Sequence, residues 1–319
     1  MKRSFAAIAW QDLPLLNYAL YSVGIAHAEI SNLPTQRLDL VPTAIFPMLV
    51  PWLIYGLRFK NATARERIVA LTVCLGAPLL VILNYWSNQR VVLDHDSLRN
   101  IYEYSAILNT VILMIHARSQ SQQWLKFFLG PCLVYGMILE NGGIWLGYFS
   151  EMNYRYYLGP LPAPMATMSG WVTVFYIITW TVWEMKKLQP KVQESALAGA
   201  GIAVFAALCF DLQVDPIACE VGFWTWHPIL TQGWLGVPLL NYAAWTAAVL
   251  PYSFLIAKRE KDAGLAIGEV TGTVHLRWVL ARIPVTLIAA AVLFLTFMVV
   301  LEQSFSGPTF QILAETFGL

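Results

Sequence analysis

Three acidic residues in the middle of the chain lie where a carboxyl group could do chemistry away from water. Glu140, Asp211 and Asp215 lie within or beside long apolar stretches, and Asn241 follows in the next such stretch. A carboxyl group surrounded by apolar atoms retains its proton more readily and can act as a general acid. These four polar residues are therefore our candidates for catalysis.

Aromatic residues accompany these acids. Six of them lie on the two segments that carry Glu140 and Asp215, namely Trp145, Tyr148, Trp171, Trp224, Trp226 and Trp245. The faces of Trp and Tyr rings stabilise positive charge, so we expect these six residues to bind substrate. Protonated acids and aromatic faces together suit the formation of a carbocation, for which an alkene is the natural substrate. The alternative for part of the set is anchoring at the membrane interface.

The same arrangement of residues occurs twice along the chain. Each acid, Glu140 or Asp215, is followed by a glycine after seven residues and by a tryptophan after 31 or 30 residues. The repeat predicts two consecutive hairpins with the same direction, over residues 124–183 and 196–257. Each hairpin would contain a helix running outward, an aromatic loop and a helix running back.

The elements that position these residues are predicted to be membrane-spanning helices. Of the 319 residues, 58% are hydrophobic and only 12% are charged, whereas soluble domains have roughly a quarter of their residues charged. Apolar runs of spanning length occur near 13–30, 40–57, 68–86, 101–116, 124–149, 165–183, 196–214, 234–257 and 279–301. The predicted fold is one all-α domain over residues 1–319, a polytopic bundle of about nine transmembrane helices that contains the duplicated hairpins.

The charges between the spans predict the orientation of the chain. With nine spans, sixteen lysines and arginines fall on one side of the membrane and four on the other. Because the more basic side faces the cytoplasm, we expect a multi-pass protein of the cell (inner) membrane with a cytoplasmic N-terminus. The candidate acids then lie in the outward half. An acid deep within a span costs about 2.5–3.5 kcal/mol, which indicates that these acids serve a function.

Several functional classes do not fit the sequence. It contains no GxxxxGK[ST], HExxH or GxSxG motif, and no GxGxxG after a strand. The pair Asp94 and Asp96 is too short to resemble the Asp-rich magnesium motifs of a prenyltransferase, and we predict no metal site. A net charge of +1 gives no reason to expect a nucleic-acid partner.

Stretches in both hairpins resemble a known family. The second hairpin contains Asp211-Leu212-Gln213-Val214-Asp215-Pro216, Trp224-Thr225-Trp226, Gly236-Val237-Pro238-Leu239-Leu240-Asn241 and Trp245. With the stretch from Glu140 to Trp171, these motifs resemble the carotenoid biosynthesis membrane proteins that include the bacterioruberin-pathway and γ-carotene 1,2-hydratases. The resemblance covers about residues 135–257, and Ala244 stands where the family pattern has glycine.

The resemblance implies the addition of water to the terminal 1,2 double bond of an acyclic carotenoid. Asp215 or Glu140 would protonate the alkene, Asp211 or the other acid would position water as a base, and Asn241 would orient the set. Trp224, Trp226 and Trp245 would shield the cation. The implied partners are a lipophilic carotenoid or isoprenoid substrate and membrane lipid, with no metal or organic cofactor.

Two other functions fit the same residues. A membrane terpene or carotenoid cyclase begins with the same protonation, but an internal alkene captures the cation instead of water. An isoprenoid transporter or a carotenoid-binding membrane protein would use the pocket without catalysis. Parallel repeats also occur among transporters, so the repeat does not separate these alternatives.

Overall fold

The computed structural model describes residues 4–32, 39–87, 93–151, 154–230, 233–264, 273–304 and 307–318. The helices among these residues are α1 (Phe5–Gln11), α2 (Leu13–Asn32), α3 (Ile45–Arg58), α4 (Ala64–Ser87), α5 (His95–Gln120), α6 (Gln122–Phe127), α7 (Leu133–Trp145), α8 (Met165–Leu188), α9 (Pro190–Glu194), α10 (Ala196–Glu220), α11 (Leu239–Ala263), α12 (Thr273–Leu280), α13 (Ile283–Glu302) and α14 (Pro308–Phe317). Two short strands, β1 (Phe149–Glu151) and β2 (Trp224–Trp226), form the sheet of the described chain. The predicted all-α polytopic bundle is confirmed.

Seven segments of the described chain are long and apolar enough to cross a membrane. They are Val41–Asn61, Ala64–Asn84, Gln122–Trp145, Met165–Leu188, Ala196–Glu220, Leu239–Asp262 and Ile283–Glu302. The other two predicted spans, near 13–30 and 101–116, coincide with α2 and α5, which are long but less apolar helices. The protein is a membrane protein, and the count of nine spans remains a prediction for these two helices.

Helix boundaries differ from the sequence prediction at the two ends of the second hairpin. The outward helix was predicted to end near 214, but α10 continues to Glu220 and therefore contains Asp215 within a regular helix. The returning helix was predicted from 234, but Trp234–Gly236 forms a 3₁₀ turn and α11 begins after Pro238. Proline fits this position because the first turn of a helix needs no backbone donor there.

The outward helices of the two hairpins end in the same turn. Gly147 and Gly222 adopt positive φ angles of 76° and 77°, a conformation that glycine reaches without a steric penalty. The next residue then bonds back to the helix in both, through Tyr148 N to Gly143 O at 3.2 Å and Phe223 N to Ala218 O at 2.8 Å. Both are Schellman-type helix ends, and each turn leads directly into a strand.

The two strands pair with each other in an antiparallel ribbon. Ser150 lies opposite Thr225, Phe149 opposite Trp226, and Glu151 opposite Trp224. Ser150 and Thr225 are 75 residues apart, the same separation as Glu140 and Asp215. The ribbon therefore joins equivalent positions of the two hairpins around an approximate two-fold axis, and it brings their outer loops together.

Helix α8 occupies the centre of the bundle. The window that spans the membrane is 78% buried in α8, against 17% in α4. Its side chains Phe175, Tyr176 and Trp180 are fully enclosed. Helices α5, α7 and α10 pack around it, and α11 packs on both α10 and α13. The two hairpins thus form the middle of the fold, where surrounding helices restrict their side chains.

Ion pairs gather at the end of the bundle opposite the ribbon. Arg58 contacts both Asp12 and Glu184 there, and Lys186 pairs with Glu260. Basic residues on this end agree with the asymmetry seen in the sequence. The assignment of this end to the cytoplasm remains a prediction.

Candidate functional site

A cavity of about 400 Å³ lies between the two hairpins, near the ribbon. Its walls come from α2, α5, α7, α8, α10, α11 and α13 and from both strands. Eight of the ten predicted site residues line it, namely Glu140, Tyr148, Trp171, Asp215, Trp224, Trp226, Asn241 and Trp245. Acids that are 75 residues apart in sequence therefore face one enclosed space.

The second hairpin contributes a pair of aspartates. Asp211 and Asp215 lie one turn apart on the same side of α10, and their carboxyl groups are close enough to share a hydrogen bond. Asn241, from the first turn of α11, donates its side-chain N–H groups to both oxygens of Asp211, at 2.9 and 3.1 Å. Asp215 lines the cavity, whereas Asp211 is 0% exposed and lies behind it.

The first hairpin presents Glu140 from α7. Its Oε2 atom accepts a hydrogen bond from the indole Nε1 of Trp171 on α8. The neighbouring Asn141 accepts a bond from the backbone N of Ala163 at 3.0 Å. This bond attaches the returning loop to α7 just before α8 begins. Glu140 and its indole donor are thereby held in one orientation towards the cavity.

The carboxyl groups of this site lie apart from basic residues. Among the described residues, the salt bridges involve neither Glu140 nor Asp211 nor Asp215. An unpaired charge in the membrane interior is costly, and two adjacent carboxylates without a cation repel each other. Neighbouring acids in such a place reduce this cost by sharing protons and by accepting hydrogen bonds.

Aromatic rings form the wall between the two groups of acids. Trp171 stacks on Trp245 with their ring centroids 4.4 Å apart and their planes at 27°, and Trp171 also stacks on Phe175 at 5.6 Å. On the ribbon, Phe149 contacts Trp226 at 5.3 Å. The stacked tryptophans come from equivalent positions of the two hairpins, so the ring faces lie near the approximate two-fold axis.

Small residues shape the rest of the cavity. They are Ala106, Gly142, Gly143, Gly170, Ala244, Ala247, Ala248, Ala290 and Ala291. Helix α13 contributes a face that also includes Leu287 and Phe294. The spacing of three, four and seven residues along this face is typical of one side of a helix. Sequence reasoning assigned no role to α13, although this spacing was the available signal.

Two predicted site residues lie outside the cavity wall. Trp145 is 60% exposed at the end of α7, while its neighbour Leu146 lines the cavity. Asp211 contacts the site through Asn241 and Asp215. Conversely, sequence reasoning missed Tyr21, Tyr102 and Glu151; the first two line the cavity, and Glu151 lies beside Glu140. For Glu151 the signal was its alignment with the Trp224-Thr225-Trp226 motif.

Comparison with protein families agrees with the location of this site. Residues 101–306 match the family described as "Carotenoid biosynthesis protein". The match covers more than half of the chain and includes both hairpins, most of α5 and all of α13. Comparison with curated proteins and with solved structures gives no match.

Proposed function

The chain belongs to the carotenoid biosynthesis protein family, and from this premise we propose that it is a membrane carotenoid hydratase. It adds water to the terminal 1,2 double bond of an acyclic carotenoid end group. The observation that carries the proposal is one apolar cavity that receives carboxyl groups from two hairpins. Hydration needs an acid to protonate the alkene and a base to deprotonate the attacking water, and two separate groups of carboxyls supply both.

Asp215 is the proton donor in this proposal. The Asn241 amide donates to both oxygens of Asp211, which favours the ionised, acceptor-only form of that carboxyl group. A second ionised group one turn away would be repelled, so Asp215 keeps its proton and donates it in a hydrogen bond to Asp211. Asp215 is also the member of the pair that lines the cavity, so its proton faces the substrate.

Glu140 is the base. The Trp171 indole can only donate a hydrogen bond, and it donates to Glu140. This bond favours the ionised form of Glu140, as the Asn241 amide favours that of Asp211. Because both Glu140 and Asp215 line the cavity, an end group held between them meets an acid on one hairpin and a base on the other.

The stacked tryptophans stabilise the intermediate cation. Protonation at the terminal double bond produces a tertiary carbocation, and indole faces attract positive charge. Trp171 and Trp245 present such faces at the centre of the cavity. The small residues leave room for the chain beside these rings, and the rest of a long polyene can extend into the surrounding membrane.

The reaction balances without any further reagent. The O–H bond of Asp215 breaks as a C–H bond forms on the substrate. A water molecule forms a C–O bond to the cation, and its proton passes to Glu140. That proton then returns to Asp215 through the shared cavity, so one water molecule is consumed and both acids are restored.

Pigment analysis tests the proposal. The protein is expressed in a host that makes an acyclic carotenoid, beside an empty vector and an Asp215→Asn variant. We expect a product heavier by one water molecule only with the active protein. A new product of unchanged mass and altered absorption would instead establish a cyclase. Unchanged pigments with a well-expressed protein would favour binding or transport.

A further inference from the structure

Glu151 is a second carboxyl group of the first hairpin, and it comes from the ribbon rather than from a helix. It is the last residue of β1 and pairs with Trp224. Side chains alternate along a strand, so Glu151 lies on the same face as Phe149, and Phe149 lines the cavity. Ser150, between them, points the other way and is exposed. The strand therefore directs Glu151 towards the interior.

The carboxyl group of Glu151 is enclosed, and its nearest acidic neighbour is the candidate base. Both of its oxygens are shielded from solvent without a hydrogen-bond donor among the described residues. The Glu140 carboxyl and the Thr167 hydroxyl lie within interaction range. Two carboxyl groups form a hydrogen bond only when one of them carries a proton. Burial raises the pKa of Glu151 well above its usual range, and Glu140 raises it further.

We propose that Glu151 is a positioning residue that stays protonated and donates its proton in a hydrogen bond to Glu140, which keeps Glu140 ionised as the base. This inference rests on the proposed function for its meaning in catalysis. Glu151 then does for Glu140 what a second donor, beside the Trp171 indole, does for any buried carboxylate. It also receives the proton that Glu140 takes from water before that proton moves on.

The other titratable groups around this pair do not supply a positive charge. Tyr102 on α5, Tyr154 in the loop before α8, and Asp215 on α10 are within electrostatic range of the two glutamates. Tyr21 and Glu103 lie one contact further out, beside these tyrosines. Among the described residues the neighbours are thus neutral or acidic, so Glu140 depends on hydrogen-bond donors rather than on a cation.

The pH dependence of two substitutions separates this role from a structural one. Glu151→Ala removes the donor, so Glu140 holds a proton to higher pH and the rising limb of the activity profile should move up by about one to two pH units. Glu151→Gln supplies an amide N–H in its place, and its rising limb should stay with that of the wild type. Ser150→Ala, on the opposite face of the same strand, is the matched control and should leave the profile unchanged.

Hydration rates of the purified proteins in lipid bilayers give these profiles, and infrared spectra provide a readout that needs no activity. At neutral pH the Glu151→Gln spectrum should lose one protonated-carboxyl band. The Glu151→Ala spectrum should keep an equivalent band from Glu140, which Glu140→Gln then removes. An unshifted limb in Glu151→Ala, an equal shift in both variants, or an unaltered infrared spectrum in Glu151→Gln would overturn the proposal. If the wild type does not hydrate, the infrared result still decides the protonation of Glu151.

Discussion

The two hairpins share a backbone plan but arrange their acids differently. Both end the outward helix at a glycine with φ near 76°, both contribute one strand to the ribbon, and both return with a tryptophan that stacks on its counterpart. Glu140 nevertheless accepts from an indole, whereas Asp215 lies beside a second aspartate of its own helix. A shared scaffold thus presents two carboxyl groups with different hydrogen-bond partners.

The difference has a steric cause at one position. Gly136 lies 75 residues before Asp211 and so occupies the equivalent place in the first hairpin. A Cβ atom at Gly136 would come within 2.8 Å of the Trp171 Cβ atom. Helix α7 therefore approaches α8 too closely to hold an acid there, and the second carboxyl of that hairpin comes from Glu151 instead. In this account, the divergence of the duplicated halves produces an acid on one side and a base on the other.

The largest effect is expected at Asp215. Asparagine preserves the size of the side chain but cannot supply a proton, so Asp215→Asn should lower the hydration rate about 100- to 10,000-fold. The rate is measured from product formation in bilayers containing an acyclic carotenoid. The exposed Glu194→Gln on α9 is the control and should match the wild type. An active D215N protein would remove the acid from the second hairpin.

Glu140→Gln should be the next most damaging change. It removes the base but leaves the acid, so we expect hydration to fall about 100-fold, near the lower bound for acid–base catalysis. Some substrate should instead return as a double-bond isomer, because the cation can still form and lose a different proton. The same carotenoid assay, with separation of isomers, measures both products. Complete loss of isomers together with hydration would argue that Glu140 is the donor.

A smaller effect is expected from Asn241→Leu. This change removes both hydrogen bonds to Asp211, so Asp211 competes with Asp215 for the proton. Hydrogen bonds to a charged group contribute about 1.5–3 kcal/mol, which corresponds to a rate lower by roughly ten- to a hundredfold. Thr246→Val, a polar-to-apolar change on the same helix, is the control. Equal rates for the two variants would contradict the role of Asn241.

The smallest effect concerns stability. Gly136→Ala should lower the free energy of unfolding by about 1–3 kcal/mol, because the new methyl group overlaps Trp171 in a packed interface. Gly142→Ala is the matched control on the same helix, since its Cβ would meet nothing within 4 Å. Thermal unfolding in detergent compares the two. Equal melting temperatures would mean that close packing does not explain the missing acid of the first hairpin.

The sequence predicted the parts of this site that depend on local spacing. Asp211 and Asp215 are four residues apart, which places them one turn apart on a helix, and the repeated glycine spacing correctly located both turns. The apolar runs located seven confirmed spans. Trp145 shows the limit of this reasoning, since the residue that lines the cavity is the next one along, Leu146, and aromatic character alone does not specify which way a helix end faces.

Long-range pairing explains what the sequence did not predict. Glu151 reaches the interior only because β1 pairs with β2, and that register depends on how the hairpins dock. The contribution of α13 depends likewise on its packing against α11. Neither arrangement has a local signature, because each joins segments separated by dozens of residues.

Isotope incorporation tests the central claim most directly. The purified protein is supplied with an acyclic carotenoid in deuterated water labelled with heavy oxygen, beside the Asp215→Asn and Glu140→Gln variants. We predict that the wild-type product gains one deuterium on carbon and one labelled oxygen. D215N should gain neither label, and E140Q should gain deuterium in isomerised substrate with little labelled oxygen. A wild-type product that carries deuterium but no labelled oxygen would contradict hydration.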